Sequence, residues 1–185
     1  MNLQKSSPIM ALFCCLLMWN SGAGQGYYQI GEGAIYFKSD APLELIEASS
    51  DKLRGLINPA DNSFAFAVKL NTFQGFNSPL QREHFNENYM ESKKYPEATF
   101  SGKIIENVDL SQPGTYTIRA KGKLNIHGVE QERIIKSEVV SGKKGLEVVS
   151  SFTVLLEEHD ITIPKIVYQK IAEEIEVQIR ATLLK

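Results

Sequence analysis

Between residues 116 and 126 the chain alternates without a break: Tyr116, Ile118, Ala120, Gly122, Leu124 and Ile126 are apolar or small, while Thr117, Arg119, Lys121, Lys123 and Asn125 are polar. Successive side chains of a strand point to opposite faces, so this run reads as a strand with one dry and one wet face. The same period recurs over residues 64–71 and 175–183, and further strand candidates are 34–38, 42–48, 52–58, 98–107, 130–140 and 146–156. Joints rich in Gly, Pro and Asn separate them at hairpin length, as at residues 58–62, 112–114 and 141–145. Such short joins call for antiparallel pairing. Some eight or nine strands, each wet on one face, must either roll into a barrel or stack as a sandwich.

One helix interrupts the strands. Ser78 can cap it, Pro79 suits its first position and Gln81 stands three residues after the cap. Leu80, His84, Phe85 and Tyr89 then share one face, and Glu83, Glu87 and Glu91 form a solvated stripe on another. A second helical turn is expected over 167–174, after Pro164. A single helix able to cap an open end, together with the length of several strands, favours an all-β antiparallel barrel of about eight strands with one short capping helix. A β-sandwich is the alternative.

Residues 1–25 have the form of a secretory signal: Lys5, an apolar stretch around IMALFCCLLMW, then small residues at SGAGQ. Both cysteines, Cys14 and Cys15, fall inside it. Its removal leaves one domain, 26–185, with no thiol for disulfides, metal ligation or nucleophilic chemistry, in a periplasmic or secreted setting. Twenty basic residues against 22 acidic ones give a formal charge of −2 with no basic block, which excludes a nucleic-acid backbone as partner.

Catalytic patterns do not emerge. His84, His127 and His159 lie on separate elements without paired metal-ligand spacing. No GxSxG elbow exists, Gly31-Glu32-Gly33 opens no helix, and the acidic pairs Glu157-Glu158 and Glu173-Glu174 are adjacent residues whose side chains point apart. Neither catalytic residues, metal nor cofactor is expected. Small residues interrupt the dry faces at Ala98, Gly102, Ala120, Gly122 and Ala181. They either open an internal cavity or relieve crowding where strands bend, and the residues alone leave both readings open.

Arg82, Glu83 and His84 on the helix, then Tyr95-Pro96, Thr99-Phe100, and Gly122, Leu124, His127, Gly128 and Val129 follow one another in an order and spacing that resembles the YceI-like family. The resemblance implies a lipocalin-like barrel in the cell envelope that holds a long isoprenoid lipid, a carrier and not a catalyst, and it favours the cavity reading of the small residues. The expected ligand is a polyisoprenoid, either a prenyl phosphate or a quinone, held by a soluble protein in at most transient contact with a membrane. Arg82 or His84 is expected to meet its polar head, with Phe85, Tyr89, Tyr95 and Phe100 at the tail's portal and Tyr116, Ile118 and Gly122 along the interior. Two other readings are a ligand-free envelope or stress-related interaction module with a filled barrel, and an enzyme acting on the lipid head, which lacks a nucleophile and base.

Overall fold

The computed structural model describes residues 26–185, so the expected signal segment lies outside the described residues. The elements are β1 (Tyr28–Asp40), β2 (Leu45–Ser50), β3 (Arg54–Asn58), β4 (Ser63–Lys69), α1 (Pro79–His84), β5 (Glu97–Ile104), β6 (Gly114–Ile126), β7 (Val129–Gly142), β8 (Gly145–Leu155) and β9 (Glu174–Leu184). Every pairing is antiparallel, and β9 returns to β1 from Gln29 opposite Leu184 to Lys38 opposite Glu176, closing a single barrel. The other edge of β1 carries β3 at Tyr28 and Gln29 and β2 from Ile35 to Asp40, so nine strands fill about eight positions. One closed sheet rules out the sandwich.

The alternation decides which face is inside. Ile118, Ala120 and Leu124 of β6 are buried and Arg119, Lys121 and Lys123 exposed; Phe64 and Val68 of β4 and Val177, Ala181 and Leu183 of β9 also join the core. The wet wall is laced with ion pairs such as Lys121 to Glu132 and Lys123 to Glu130, both 2.9 Å. Exposed pairs like these add at most about 1 kcal/mol each, but they keep the outer wall hydrated.

Two elements depart from expectation. β1 runs well beyond 34–38, because the bonded ladder continues through the glycine-rich segment that hides the alternation, with a register shift between Ile30 and Glu32. In place of a helical turn over 167–174 there is a short 3-10 turn at Lys165–Val167, and Glu174 already begins β9.

Gly122 requires a correction too. It faces Gly102 across the β5–β6 ladder, and a Cβ there would sit 2.3 Å from the Ser101 carbonyl oxygen, while one on Gly102 would sit 2.1 Å from that of Lys121. These two glycines permit close backbone approach and open no space. Ala98 and Ala120, by contrast, do face internal voids.

Candidate ligand cavity at the roofed end

The two ends of the barrel differ. At the floor, the loop between β5 and β6 folds inward and sets Leu110, 1% exposed, against the core that includes Tyr28, Val139, Leu146 and Leu183. Its carbonyl accepts from the Ser141 hydroxyl at 2.7 Å. At the other end α1 and the turn after it lie across the mouth. Beneath them is a cavity of about 470 Å³, within the roughly 300–1,000 Å³ of small-molecule sites. A second void of about 90 Å³ lies deeper, and Ile35, Val68, Ala98, Leu124 and Phe152 line both, forming the partition between them.

The roof is built as its sequence dictates. The Gln81 N–H donates to the Ser78 hydroxyl at 3.1 Å, and the Gln81 side-chain oxygen accepts from the Asn77 N–H at 3.0 Å, a capping exchange displaced by one residue. After α1 the chain widens into a π-turn over Phe85–Tyr89, closed by the Met90 N–H on the Phe85 carbonyl at 2.9 Å. Leu80, His84, Phe85 and Tyr89, the face expected to be shared, all line the cavity, and Glu83 and Glu87 face solvent. Phe85 stacks on Phe37 of β1, centroids 5.5 Å apart, and meets Phe73 and Phe76 at 5.8 and 5.1 Å. That four-ring cluster anchors the roof, each pair adding about 0.5–1.5 kcal/mol beyond its buried area.

The C-terminal end of the roof is clasped. Glu91, in a left-handed conformation, places its carboxylate 2.7 Å from His127 Nε2, and His127 Nδ1 stands 3.1 Å from the His159 carbonyl. Tyr95 lies edge-on to His127 at 4.7 Å and so close over Gly128 that a Cβ there would sit 2.4 Å from its ring. His159 is fully buried, with Nδ1 3.1 Å from the Val129 carbonyl. Burial lowers its pKa against the opposing pull of that carbonyl and of Glu158, so it donates to Val129 as a neutral ring. Arg133 ties the same loop down through Glu158 at 2.8 Å. Thus Tyr95, His127 and Gly128 hold the roof in place, and Glu91 leaves the solvated stripe to join them.

The expected site residues separate accordingly. His84, Phe85 and Tyr89 line the large cavity, and Phe100 and Ile118 line the deeper void. Tyr95 sits in the clasp. Tyr116 packs at the floor, its hydroxyl donating to the Gln112 carbonyl at 2.9 Å. Arg82 turns away from the mouth and donates to the Asn71 carbonyl at 2.8 Å, pairing with neither a ligand site nor a helix glutamate. Burial raises the Tyr89 phenol, which stays a neutral hydroxyl at the cavity wall.

Several lining residues belong to no functional pattern in the sequence: Phe37, Phe73 and Phe76 in the aromatic wall, Phe152 in the partition, and Val167, Lys170 and Ile171 in the loop opposite the helix. The pair Phe73 and Phe76, three residues apart beside Gly75, was the available clue. The polar lining is Ser39, Glu44, Ser78, Gln81, His84, Lys170 and the Tyr89 hydroxyl, and Gln81 donates to Glu44 at 2.9 Å. Among the described residues no three His, Cys, Asp or Glu side chains converge as a metal site. The chemistry on offer is a mostly apolar chamber with a few polar groups in its lining.

The family model described as the YceI-like domain matches residues 43–183. Among solved structures, the polyisoprenoid binding domain from Saccharophagus degradans implicated in plant cell wall breakdown superposes with a TM-score of 0.69 at 13% identity, over 85% of this chain and 97% of that one. BcnA of Burkholderia cenocepacia gives 0.67 at 15% identity over 80% and 94%. The YceI protein of Campylobacter jejuni gives 0.59 at 15% identity over 76% and 85%. No relative among curated proteins matches the sequence.

Proposed function

Because this chain belongs to the YceI-like domain family, we propose that it binds and carries a long apolar lipid, a polyisoprenoid, with the tail inside the barrel. The observation that carries this reading is the cavity of about 470 Å³ under the helix, lined mostly by apolar side chains with few polar groups among them. Each methylene buried there contributes about 0.8 kcal/mol, so a tail of several isoprene units supplies affinity without any dedicated polar site. The void favours a carrier over a filled barrel that works through its outer surface. In this reading residues 1–25 direct export, 26–185 act in the periplasm or outside the cell, and the protein is a carrier with no chemical step. The polar head sits among His84, Lys170 and Glu44 at the rim, and Arg82 is not part of it.

Mass spectrometry of lipid extracted from the purified protein tests the cargo directly. Ala98→Phe, which projects a ring into the space Ala98 borders, should abolish tail uptake while the barrel still folds. Gly122→Leu cannot serve this purpose, because its side chain meets backbone. With His84 and Lys170 both changed to Ala, a prenyl phosphate should bind several-fold more weakly and a quinone unchanged. A purified protein that yields no lipid and takes up neither probe would sink the carrier reading.

A further inference from the structure

The loop opposite the helix has two faces. Val167 and Ile171 line the cavity, whereas Ile166 is 90% and Tyr168 63% exposed. The segment PKIVYQKIA, residues 164–172, holds two lysines and no acid. Leu43, 67% exposed, is tied beside it by its N–H on the Gln169 carbonyl at 2.9 Å, and Leu80, 57% exposed, sits on the cavity's helical side. Scattered exposed apolar residues need no explanation, but here three large ones stand on or beside the loop whose Val167 and Ile171 line the cavity, and the fourth, Leu80, lines it from the helix.

We propose that this rim is a membrane-docking surface, in which Ile166 and Tyr168 enter the headgroup region of an anionic bilayer and Lys165 and Lys170 meet its lipid headgroups. An apolar tip flanked by cations is the pattern of an interfacial anchor, and tyrosine favours the headgroup level because its ring is apolar and its hydroxyl wet. The barrel wall itself does not enter the bilayer, since its outer face is charged and ion-paired along β6 and β7. Docking in this pose turns the cavity mouth toward the bilayer, so an apolar molecule passes between the two without crossing water. The rim shares Lys170 and Leu80 with the cavity, but docking rests on Ile166 and Tyr168 and does not require that the cavity hold an isoprenoid.

The test uses the mature chain 26–185, which contains no tryptophan, with a reporter installed by Tyr168→Trp. A matched control carries the reporter at Ile134→Trp, on the outer wall of β7 and 57% exposed. Vesicles of phosphatidylglycerol and phosphatidylcholine with brominated acyl chains should quench the reporter at position 168 and leave the one at 134 unaffected. Adding Ile166→Asp should abolish the quenching without loss of prenyl-lipid uptake from detergent solution. Changing Lys165 and Lys170 to Gln should cost on the order of tenfold in preference for anionic over pure phosphatidylcholine vesicles. Equal quenching at both positions, or none at 168, overturns the proposal. So does a concentration-dependent dimer that Ile166→Asp dissociates in the absence of quenching, which would assign the rim to contact between copies. Quenching at 168 by a protein that takes up no lipid would refute the carrier reading and leave the docking surface standing.

Discussion

At the floor of the barrel Leu110 is inserted among Val139, Leu146 and Leu183, side chains that water scarcely reaches. At the roof a helix with no buried residue of its own spans a void and is held at one flank by four phenylalanines and at its end by the Glu91 to His127 clasp. The same alternating strands run through both ends, so the difference lies in what the connecting segments bring. A short loop with one leucine turned inward completes a core, whereas a capped helix with wide apolar spacing covers a space without filling it. The floor therefore governs stability and the roof governs access, and the two can be perturbed separately.

The sharpest break of that division is Leu110→Ala. Burial of a leucine at 1% exposure places its removal near the upper half of the roughly 2–5 kcal/mol seen for buried leucine truncations. Urea titration should show that loss, while lipid bound per folded molecule stays unchanged. Phe85→Ala comes next. The ring is partly exposed to the cavity, so the expected cost is about 2 kcal/mol, below the 3–5 typical of a buried Phe. Here hydrogen exchange should accelerate over the helix first and leave β6 and β9 protected, and lipid retention should fall.

How much of this was legible beforehand follows the same division. The strands and their antiparallel order could be read because period two records burial directly, and the shared face of Leu80, His84, Phe85 and Tyr89 because helical spacing groups residues that line one side. The start of β1 could not, since Gly31-Glu32-Gly33 masks the alternation and only the ladder with β9 makes it a strand. Gly122 looked like room for a tail because composition cannot distinguish a glycine that faces a void from one pressed against a neighbouring strand. The residues most distinctive in order and spacing, Tyr95, His127 and Gly128, build the clasp, whereas much of the cavity wall consists of ordinary phenylalanines and isoleucines brought together by long-range closure. The partner of Arg82 is hidden for a similar reason: it is a backbone carbonyl in the turn after β4, which no side-chain pattern announces.

His159, packed beside the clasp, makes the roofed end the acid-sensitive one. His159 is buried with its pKa lowered, chiefly by desolvation. Between that lowered value and the roughly 6.5 of an unfolded histidine, the unfolded chain binds more protons, so stability rises with pH through this window and is full above it. Thermal melts should be level from about pH 7 upward and decline on acidification through pH 6 and 5. His159→Gln should flatten the decline, and hydrogen exchange at pH 5 should open the segment around His159 before the floor. A decline of unchanged steepness in that variant would move the sensitivity elsewhere.

The smallest effect on stability should come from Leu80→Ala, and it separates access from stability most cleanly. Leu80 is 57% exposed, so its removal creates no closed cavity and leaves the fold within about 0.5 kcal/mol, as for surface substitutions in general. Alanine also has the better helix propensity, which offsets part of the lost packing. Yet Leu80 lines the large cavity, where a bound tail would cover it. Three carbon atoms then leave the wall facing the ligand. At about 25 cal/mol per Å² of apolar surface, the loss of a partly covered side chain amounts to roughly 1 kcal/mol, about fivefold in affinity. Because the helix covers the mouth, that loss should appear as faster release with an unaltered association rate. Stopped-flow release of a fluorescent prenyl lipid measures it. If release is unchanged while the melting point holds, Leu80 belongs to the outer rim alone, and the wall that retains the tail lies deeper, with Phe37, Phe73 and Phe85.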